Sequence, residues 1–100
     1  MSALSHKRLV TIVAEAVVEE RLLRDLRAWG VTGFSVSRSE GDPFGARVAD
    51  VEGAMVRIEC IVGSDLAERV LEGLAELYLP RYKVIAYDHD VRVVRDDKYP

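Results

Sequence analysis

The spacing of hydrophobic residues along the first third of the chain changes once, and the change separates a strand from a helix. Residues 9–14 (LVTIVA) form a short apolar and β-branched run, which predicts a buried strand. Farther along, apolar residues recur three or four positions apart, at Val18, Leu22, Leu26 and Trp29. This spacing is typical of an amphipathic helix, and Gly30 is predicted to end it.

The middle of the chain has strand-like alternation on both sides of a polar segment. Residues 33–39 (GFSVSRS) alternate apolar and polar side chains, which predicts a half-buried strand. Residues 40–53 contain three glycines, one proline and several charges, so we predict a loop there. The next strand is predicted from Met55 to Val62, with one face formed by Val56, Ile58, Cys60 and Val62.

A second helix and a long final strand complete the pattern. The helix has an apolar stripe formed by Leu66, Val70, Leu74 and Leu77. Ser64 or Asp65 is predicted to cap its N-terminus, since a glutamate follows Asp65 at the spacing of a capping box. Pro80 is predicted to end the helix. Residues 82–94 form the last strand, with a polar bend expected near residues 88–90.

The predicted order is strand, helix, strand, loop, strand, helix, strand. Two β-α-β units of similar length favour an α+β fold of the ferredoxin-like βαββαβ type, an antiparallel four-stranded sheet with both helices on one face. A chain of 100 residues has room for one such domain, so residues 1–100 are predicted to form a single domain.

The first and last strands carry apolar residues on both faces, although helices are expected to cover only one. Residues 9–14 are apolar at both alternations, and the last strand opens with Val84, Ile85 and Ala86 in succession. Such runs indicate burial on both sides of a strand. In a chain this small the second cover is most simply another subunit, so we predict a homo-oligomer with the bare sheet face at its centre.

Composition excludes several classes of protein. Hydrophobic residues make up 49% of the chain, and 17 acidic against 14 basic residues give a net charge of −3. That balance argues against a nucleic-acid-binding protein. No apolar run reaches the roughly 18 residues of a membrane span, so a cytoplasmic location without membrane insertion is expected. The single cysteine cannot form an internal disulfide, and no Cys/His cluster has the spacing of a zinc site.

The sequence offers little catalytic chemistry. No side chains suggest a catalytic triad, and we predict no enzyme activity. The one acidic cluster beside a histidine is Asp88-His89-Asp90, but in a strand His89 would point away from both aspartates, so no metal site is predicted. Cys60 is expected to be a core thiol. Trp29 is expected to lie in the core or in an interface.

Anion binding is the more promising chemistry. Serine hydroxyls at Ser35, Ser37 and Ser39 share one face of the second strand, which leads into Gly41, where a glycine permits close backbone approach. The cations that could join them are Arg38, Arg47, Lys83, Arg92 and Arg95. Together these groups suit phosphate or another small oxyanion. They converge only if the loop folds back or subunits meet, and solvated surface charge is the alternative interpretation.

Three segments carry a resemblance to a known family: KRLVTIVAEA at residues 7–16, AWGVTGFSVSRSEG at 28–41, and VRIECIVGSDLAERVLEGLAELYLPRYKVIAYDHDVRVV at 56–94. In order and spacing they resemble the PII and PII-like signalling proteins over nearly the whole chain. The sequence is most similar to the PII-like branch linked to inorganic carbon handling. That branch includes regulators associated with bicarbonate transport or carboxysome genes.

The resemblance implies a homotrimer that binds an adenine nucleotide, with or without bicarbonate, in each cleft between subunits, with no covalently bound cofactor. Residues 40–53 correspond to the mobile T-loop, which would regulate a protein target in inorganic carbon or nitrogen metabolism, such as a bicarbonate transporter or a carboxysome-associated protein. The nucleotide-binding residues it implies are Ser35, Val36, Ser37, Gly41, Arg47, Lys83, Arg92 and Arg95. The loop residues it implies for partner binding are Asp42, Phe44 and Arg47.

The sequence also departs from the PII pattern. PII proteins have a glycine-rich turn before the last strand that cradles phosphates, and here residues 79–83 read LPRYK. A short phosphate chain (AMP, ADP or cyclic AMP) is therefore expected in preference to ATP. The loop has no tyrosine, so PII-style uridylylation is not expected. The alternatives are a trimeric ferredoxin-like protein of another class, either CutA-like and metal-binding or ACT-like and small-molecule-sensing. An acylphosphatase-type enzyme is disfavoured because AEAVVEE, after the first strand, offers no glycine or arginine.

Overall fold

The computed structural model describes residues 4–41, 43–44 and 54–94. In chain order the elements are β1 (Ser5–Glu15), a 3-10 turn (Ala16–Val18), α1 (Glu19–Trp29), β2 (Ser35–Ser39), β3 (Met55–Val62), α2 (Ser64–Leu77) and β4 (Val84–Val93). The four strands form one antiparallel sheet in the order β2-β3-β1-β4. This confirms the predicted ferredoxin-like βαββαβ fold.

Both helices pack on the same face of the sheet. Val10, Ile12 and Ala14 of β1 point into this layer and are fully buried, as the alternation of a strand requires. The matching face of β3 adds Ile58, Cys60 and Val62, as predicted. The helices contribute their apolar stripes, chiefly Leu22, Leu26, Val70 and Leu74.

The opposite face of β1 is also buried, as its sequence predicts. Thr11 and Val13 alternate with the core residues and are only 2% and 4% exposed. Across the β1–β4 pair, Thr11 lies opposite Tyr87 and Val13 lies opposite Ile85. Tyr87 stays 43% exposed and Ile85 half-buried, so the apolar surface of this face extends beyond what one chain covers.

The helix ends differ in how well the sequence predicts them. Gly30 adopts a left-handed φ of 114° and ends α1, as expected for a C-terminal glycine. The predicted cap of α2 is wrong. Gly63 occupies the N-cap position without a side-chain hydrogen bond, because β3 passes into α2 through that single residue. Ser64 and Asp65 therefore lie inside the first turn, where the charge of Asp65 still favours the helix dipole.

The bend predicted near residues 88–90 is also absent. β4 pairs with β1 without interruption from Val84 to Val93. Asp88 and Asp90 lie on the same side of β4 as Arg8 of β1, and both carboxylates accept hydrogen bonds from its guanidinium, with Nε 2.9 Å from Asp88 Oδ2. The acidic residues thus tie two strands together, while His89, opposite Leu9, lies on the other face.

The two helices meet closely where Trp29 crosses Gly73. A methyl group at Gly73 would lie 2.6 Å from Cζ2 and 2.7 Å from Cη2 of the indole ring. Contacts this short require the ring or the helix to move. Trp29 is packed against the core, as predicted, and the absence of a side chain at Gly73 makes room for it.

We predict that Gly73→Ala destabilises the protein although alanine is the better helix former. Overpacking costs about 1–3 kcal/mol and the gain in helix propensity is about 1 kcal/mol, so a net loss of up to about 2 kcal/mol is expected in urea unfolding. The control is the same substitution in a Trp29→Phe background, which lacks the two clashing atoms. There Gly73→Ala should be neutral or stabilising, and an equal loss in both backgrounds would contradict the packing argument.

We predict that Asp88→Asn lowers the free energy of unfolding at pH 7 and reduces its dependence on pH in acid. The hydrogen bond from Arg8 lowers the pKa of Asp88. Its stabilising contribution is therefore complete above the ordinary carboxyl pKa of about 3.9 and is lost as pH falls through the lowered value. Urea unfolding between pH 2 and 7 measures this. Asp90→Asn is the control, since the Asp90 side chain is 80% exposed and a smaller change is expected.

Candidate functional site

A cavity of about 690 Å³ opens where the entry to β2 meets β3 and β1. This volume falls within the range of about 300–1,000 Å³ that small-molecule sites occupy. It is lined by Leu9, Thr32, Gly33, Phe34, Ser35, Glu59, Cys60 and Ile61.

Strand register places the polar and apolar parts of this cavity side by side. Ser35 lies directly opposite Glu59 in the β2–β3 pair, and residues opposite each other project to the same face. Two residues farther along β3, Ile61 lies opposite Leu9 in the β1–β3 pair. A hydroxyl and a half-buried carboxylate thus adjoin two half-buried aliphatic side chains. This arrangement suits a flat, partly apolar ligand that carries hydrogen-bond donors.

Phe34 forms the wall beside Ser35 and is held from outside the cavity. The guanidinium of Arg27 lies 4.9 Å from the centroid of its ring, a cation–π distance. Phe34 also packs partly against the core. The α1 helix therefore fixes the position of the strand entry on which the cavity depends.

Of the predicted ligand residues that the structure describes, only Ser35 lines this cavity. Val36 points to the other face of the sheet and is 39% exposed. Ser37 lies two residues farther along β2, opposite Arg57, and does not line the cavity. Gly41 follows the end of β2 with a φ of 110°, a conformation that favours glycine, so the loop begins at a residue that other side chains fit poorly.

The predicted cations lie away from Ser35 within one chain. Lys83 precedes β4, and its backbone N–H donates to Glu15 Oε1 at 3.0 Å. Arg92 is exposed near the far end of β4. Because β2 and β4 are opposite edges of the sheet, about 14 Å separates them at the usual strand spacing. The loop residue Phe44 is half-buried, whereas the predicted Asp42, Arg47 and Arg95 lie outside the described residues.

Seven of the eight residues that line this cavity were not predicted as ligand residues, and Leu9, Ile61 and Glu59 show why. Leu9 and Ile61 belong to apolar strand runs, and Glu59 is one of two charged residues in β3. Alternation already places Glu59 on the face away from the helices. The missing information is the register of β2 against β3, which brings Glu59 to Ser35.

Cys60 borders the cavity but is a core thiol, as predicted. The residue is 2% exposed, and burial raises the pKa of its thiol to about 11. Across the described segments no group of three or more His, Cys, Asp and Glu side chains could hold a metal ion. No helix in the same segments is long and apolar enough to cross a membrane.

The comparison with protein families gives one match. The family described as "Nitrogen regulatory protein P-II" matches residues 7–98. Since the match spans most of the chain, the protein belongs to the P-II family, whose members are signalling proteins. No curated protein sequence matches the chain.

Solved structures resemble the chain over its full length. A protein from Thermus thermophilus described as a PII-like signalling protein is 42% identical, covers 100% of both chains and gives a TM-score of 0.85. CPII from Thiomonas intermedia, bound to ADP, AMP and acetate, is 22% identical over 96% of both chains, with a TM-score of 0.83. CPII bound to ADP and bicarbonate is 20% identical over 97% of both, with a TM-score of 0.78.

We predict that Cys60 reacts slowly with a disulfide reagent such as DTNB in the native protein. With a pKa of about 11, roughly one thiol in a thousand is ionised at pH 8, and the thiolate is the reactive form. Reaction at least about a hundredfold slower than in guanidinium-unfolded protein is expected. Equal rates in the two states would show that the thiol is accessible and would contradict its place in the core.

Proposed function

We propose that this protein is a non-enzymatic PII-like signalling protein that binds an adenine nucleotide between the subunits of a homotrimer. The loop at residues 40–53 then regulates a protein partner in inorganic carbon or nitrogen metabolism. The observation that carries the proposal is the 690 Å³ cavity in which Ser35 and Glu59 adjoin Leu9 and Ile61.

The chemistry of the cavity suits an adenine base. The 6-amino group of adenine is a donor, and the Glu59 carboxylate is an acceptor beside the Ser35 hydroxyl. Leu9 and Ile61 offer apolar surface to the faces of the ring. CPII of Thiomonas intermedia, which shares the fold, was solved with ADP, AMP and acetate and with ADP and bicarbonate. These ligands support an adenine nucleotide, with bicarbonate as a second ligand.

The phosphates require positive charges. Of the cations predicted to bind the nucleotide, the structure describes Lys83 and Arg92, and neither lies near Ser35 in one chain. Arg92 lies on the opposite edge strand β4 and Lys83 directly precedes it, whereas Arg47 and Arg95 belong to segments beyond the described residues. A second copy docked against the β2 edge would bring its own Lys83 and Arg92 toward the 690 Å³ cavity. The uncovered apolar face around Tyr87 and Ile85 gives such a contact its hydrophobic area.

The nucleotide is expected to carry a short phosphate chain. Residues 79–83 (LPRYK) lead into β4 and contain no glycine, so this turn offers a poor backbone cradle for a triphosphate. AMP, ADP or cyclic AMP is the expected ligand. Occupancy would select one conformation of the loop through differential affinity, and the loop would then bind its target, for which a bicarbonate transporter or a carboxysome-associated protein is the candidate class.

We predict that the protein binds AMP and ADP and that Glu59→Ala weakens both by about tenfold, the value of one lost hydrogen bond to a charged group. Ser35→Ala should weaken them less. Isothermal titration calorimetry measures the affinities, with ATP, cyclic AMP and bicarbonate as further ligands. Ser64→Ala, an exposed serine of α2, is the matched control and should change nothing.

Two results would overturn the proposal. Absence of binding to every adenine nucleotide tested would exclude the sensor function. A monomer in analytical ultracentrifugation, with or without nucleotide, would exclude a site shared between subunits. The expected result is the mass of three chains. The folded protein should also become more stable when AMP or ADP is added.

A further inference from the structure

A second cavity, of about 400 Å³, lies in the helix layer between the first turns of α1 and the end of α2. It shares no lining residue with the 690 Å³ cavity and contains none of the predicted nucleotide-binding residues. It also lies on the opposite side of the sheet from the surface that a second subunit is expected to cover. Its lining overlaps the surroundings of the proposed nucleotide site only at Pro80 and Arg81, which belong to the turn at residues 79–83 that leads into β4.

Three guanidinium groups line this second cavity, those of Arg21, Arg24 and Arg81. The carboxylates present are Asp25 and Glu76. Among the described residues, none of the three arginines forms a salt bridge with a carboxylate. Arg21 donates to the hydroxyl of Tyr82 at 2.9 Å, a neutral acceptor that leaves its charge uncompensated. The cavity thus holds more positive charge than its own acidic groups neutralise.

Asp25 is already committed to another group. Its Oδ2 accepts a hydrogen bond from the hydroxyl of Tyr78, which is 1% exposed. Burial and this hydrogen bond raise the pKa of Tyr78, and the charges of Arg21 and Arg24 oppose the rise. Both arginines therefore lie near this buried hydroxyl, and both are exposed to solvent.

The remaining wall is apolar. Leu77 is 51% exposed although it continues the apolar stripe of α2, and Pro80 follows two residues after the C-cap. A bare phosphate ion would fill only part of this space. The cavity therefore matches a metabolite-sized molecule that joins one oxyanion to a short apolar portion.

We propose that this cavity binds a small organic anion. Its phosphate or carboxylate group is held by Arg24 and Arg81 with help from Arg21, and its apolar part lies against Leu77 and Pro80. Guanidinium groups suit both oxyanions because each presents a planar fork of donors. The bound anion also neutralises the surplus positive charge between α1 and the end of α2.

The test uses three probes with the full chain: phenyl phosphate, inorganic phosphate and benzoate. Calorimetry gives the affinities, and arginine Nε–H signals in NMR report which guanidiniums respond. Phenyl phosphate is expected to bind more tightly than inorganic phosphate, since it also covers the apolar wall. The R24Q/R81Q variant should lose about tenfold or more in affinity, the effect of removing charge-assisted hydrogen bonds.

Arg69→Gln is the matched control, because Arg69 is an exposed arginine of α2 that does not line the cavity. Its affinity should equal that of the original protein. Glu59→Ala should also leave the probe affinity unchanged, which separates this site from the 690 Å³ cavity even if nucleotide binding fails. Preferential binding of benzoate would assign the site to carboxylates, and preferential binding of phenyl phosphate would assign it to phosphates.

Two outcomes would overturn the proposal. One is the absence of binding by all three probes at millimolar concentration. The other is equal affinity for the original protein and for R24Q/R81Q, with unchanged far-ultraviolet circular dichroism showing that the variant is folded. In the second case the probes bind elsewhere on the chain.

Discussion

The burial of β1 on every side is the constraint on which the rest of the structure depends. The strand pairs with β3 along one edge and with β4 along the other, and both of its faces exclude water between Val10 and Ala14. A shift of register by one residue would move its core residues to the wrong face of the sheet. The Arg8 guanidinium, held by two carboxylates of β4, opposes such a shift of register within the β1–β4 pair.

This arrangement also divides the candidate chemistry. Because β1 and β3 are the inner strands, β2 and β4 form the two edges of the sheet. The serines of β2 and Arg92 of β4 therefore lie at opposite edges. The 690 Å³ cavity forms where β1, β2 and β3 meet, so residues of a single chain line it. The proposed phosphate contacts need a neighbour. The same topology that gives each chain its core thus places Ser35 and Arg92 on opposite edges of the sheet.

The fold was predictable because the alternation and stripe patterns are strong and short connections leave few ways to assemble them. Ser35 was predicted as a nucleotide-binding residue from the family resemblance, and the structure places it at the 690 Å³ cavity. Glu59 was not predicted, since its position beside Ser35 depends on the register between strands some twenty residues apart in sequence. The predicted cap at Ser64 and the predicted bend at Asp88 were wrong for related reasons. Both predictions rest on local polarity. The one-residue connection at Gly63 determined where α2 begins, and the ion pair with Arg8 holds Asp88 in a regular strand.

The left-handed glycine that follows β2, Gly41, determines how the chain leaves the sheet. Gly41 separates the paired part of the sheet from the segment that follows, and glycine accepts either sign of φ at little expense. A larger side chain at this position would carry the strain of a left-handed φ just beyond the pairing of Ser39 with Met55. The chain therefore leaves the edge strand without backbone strain, and the pairing of β2 with β3 is kept up to the last residue of β2.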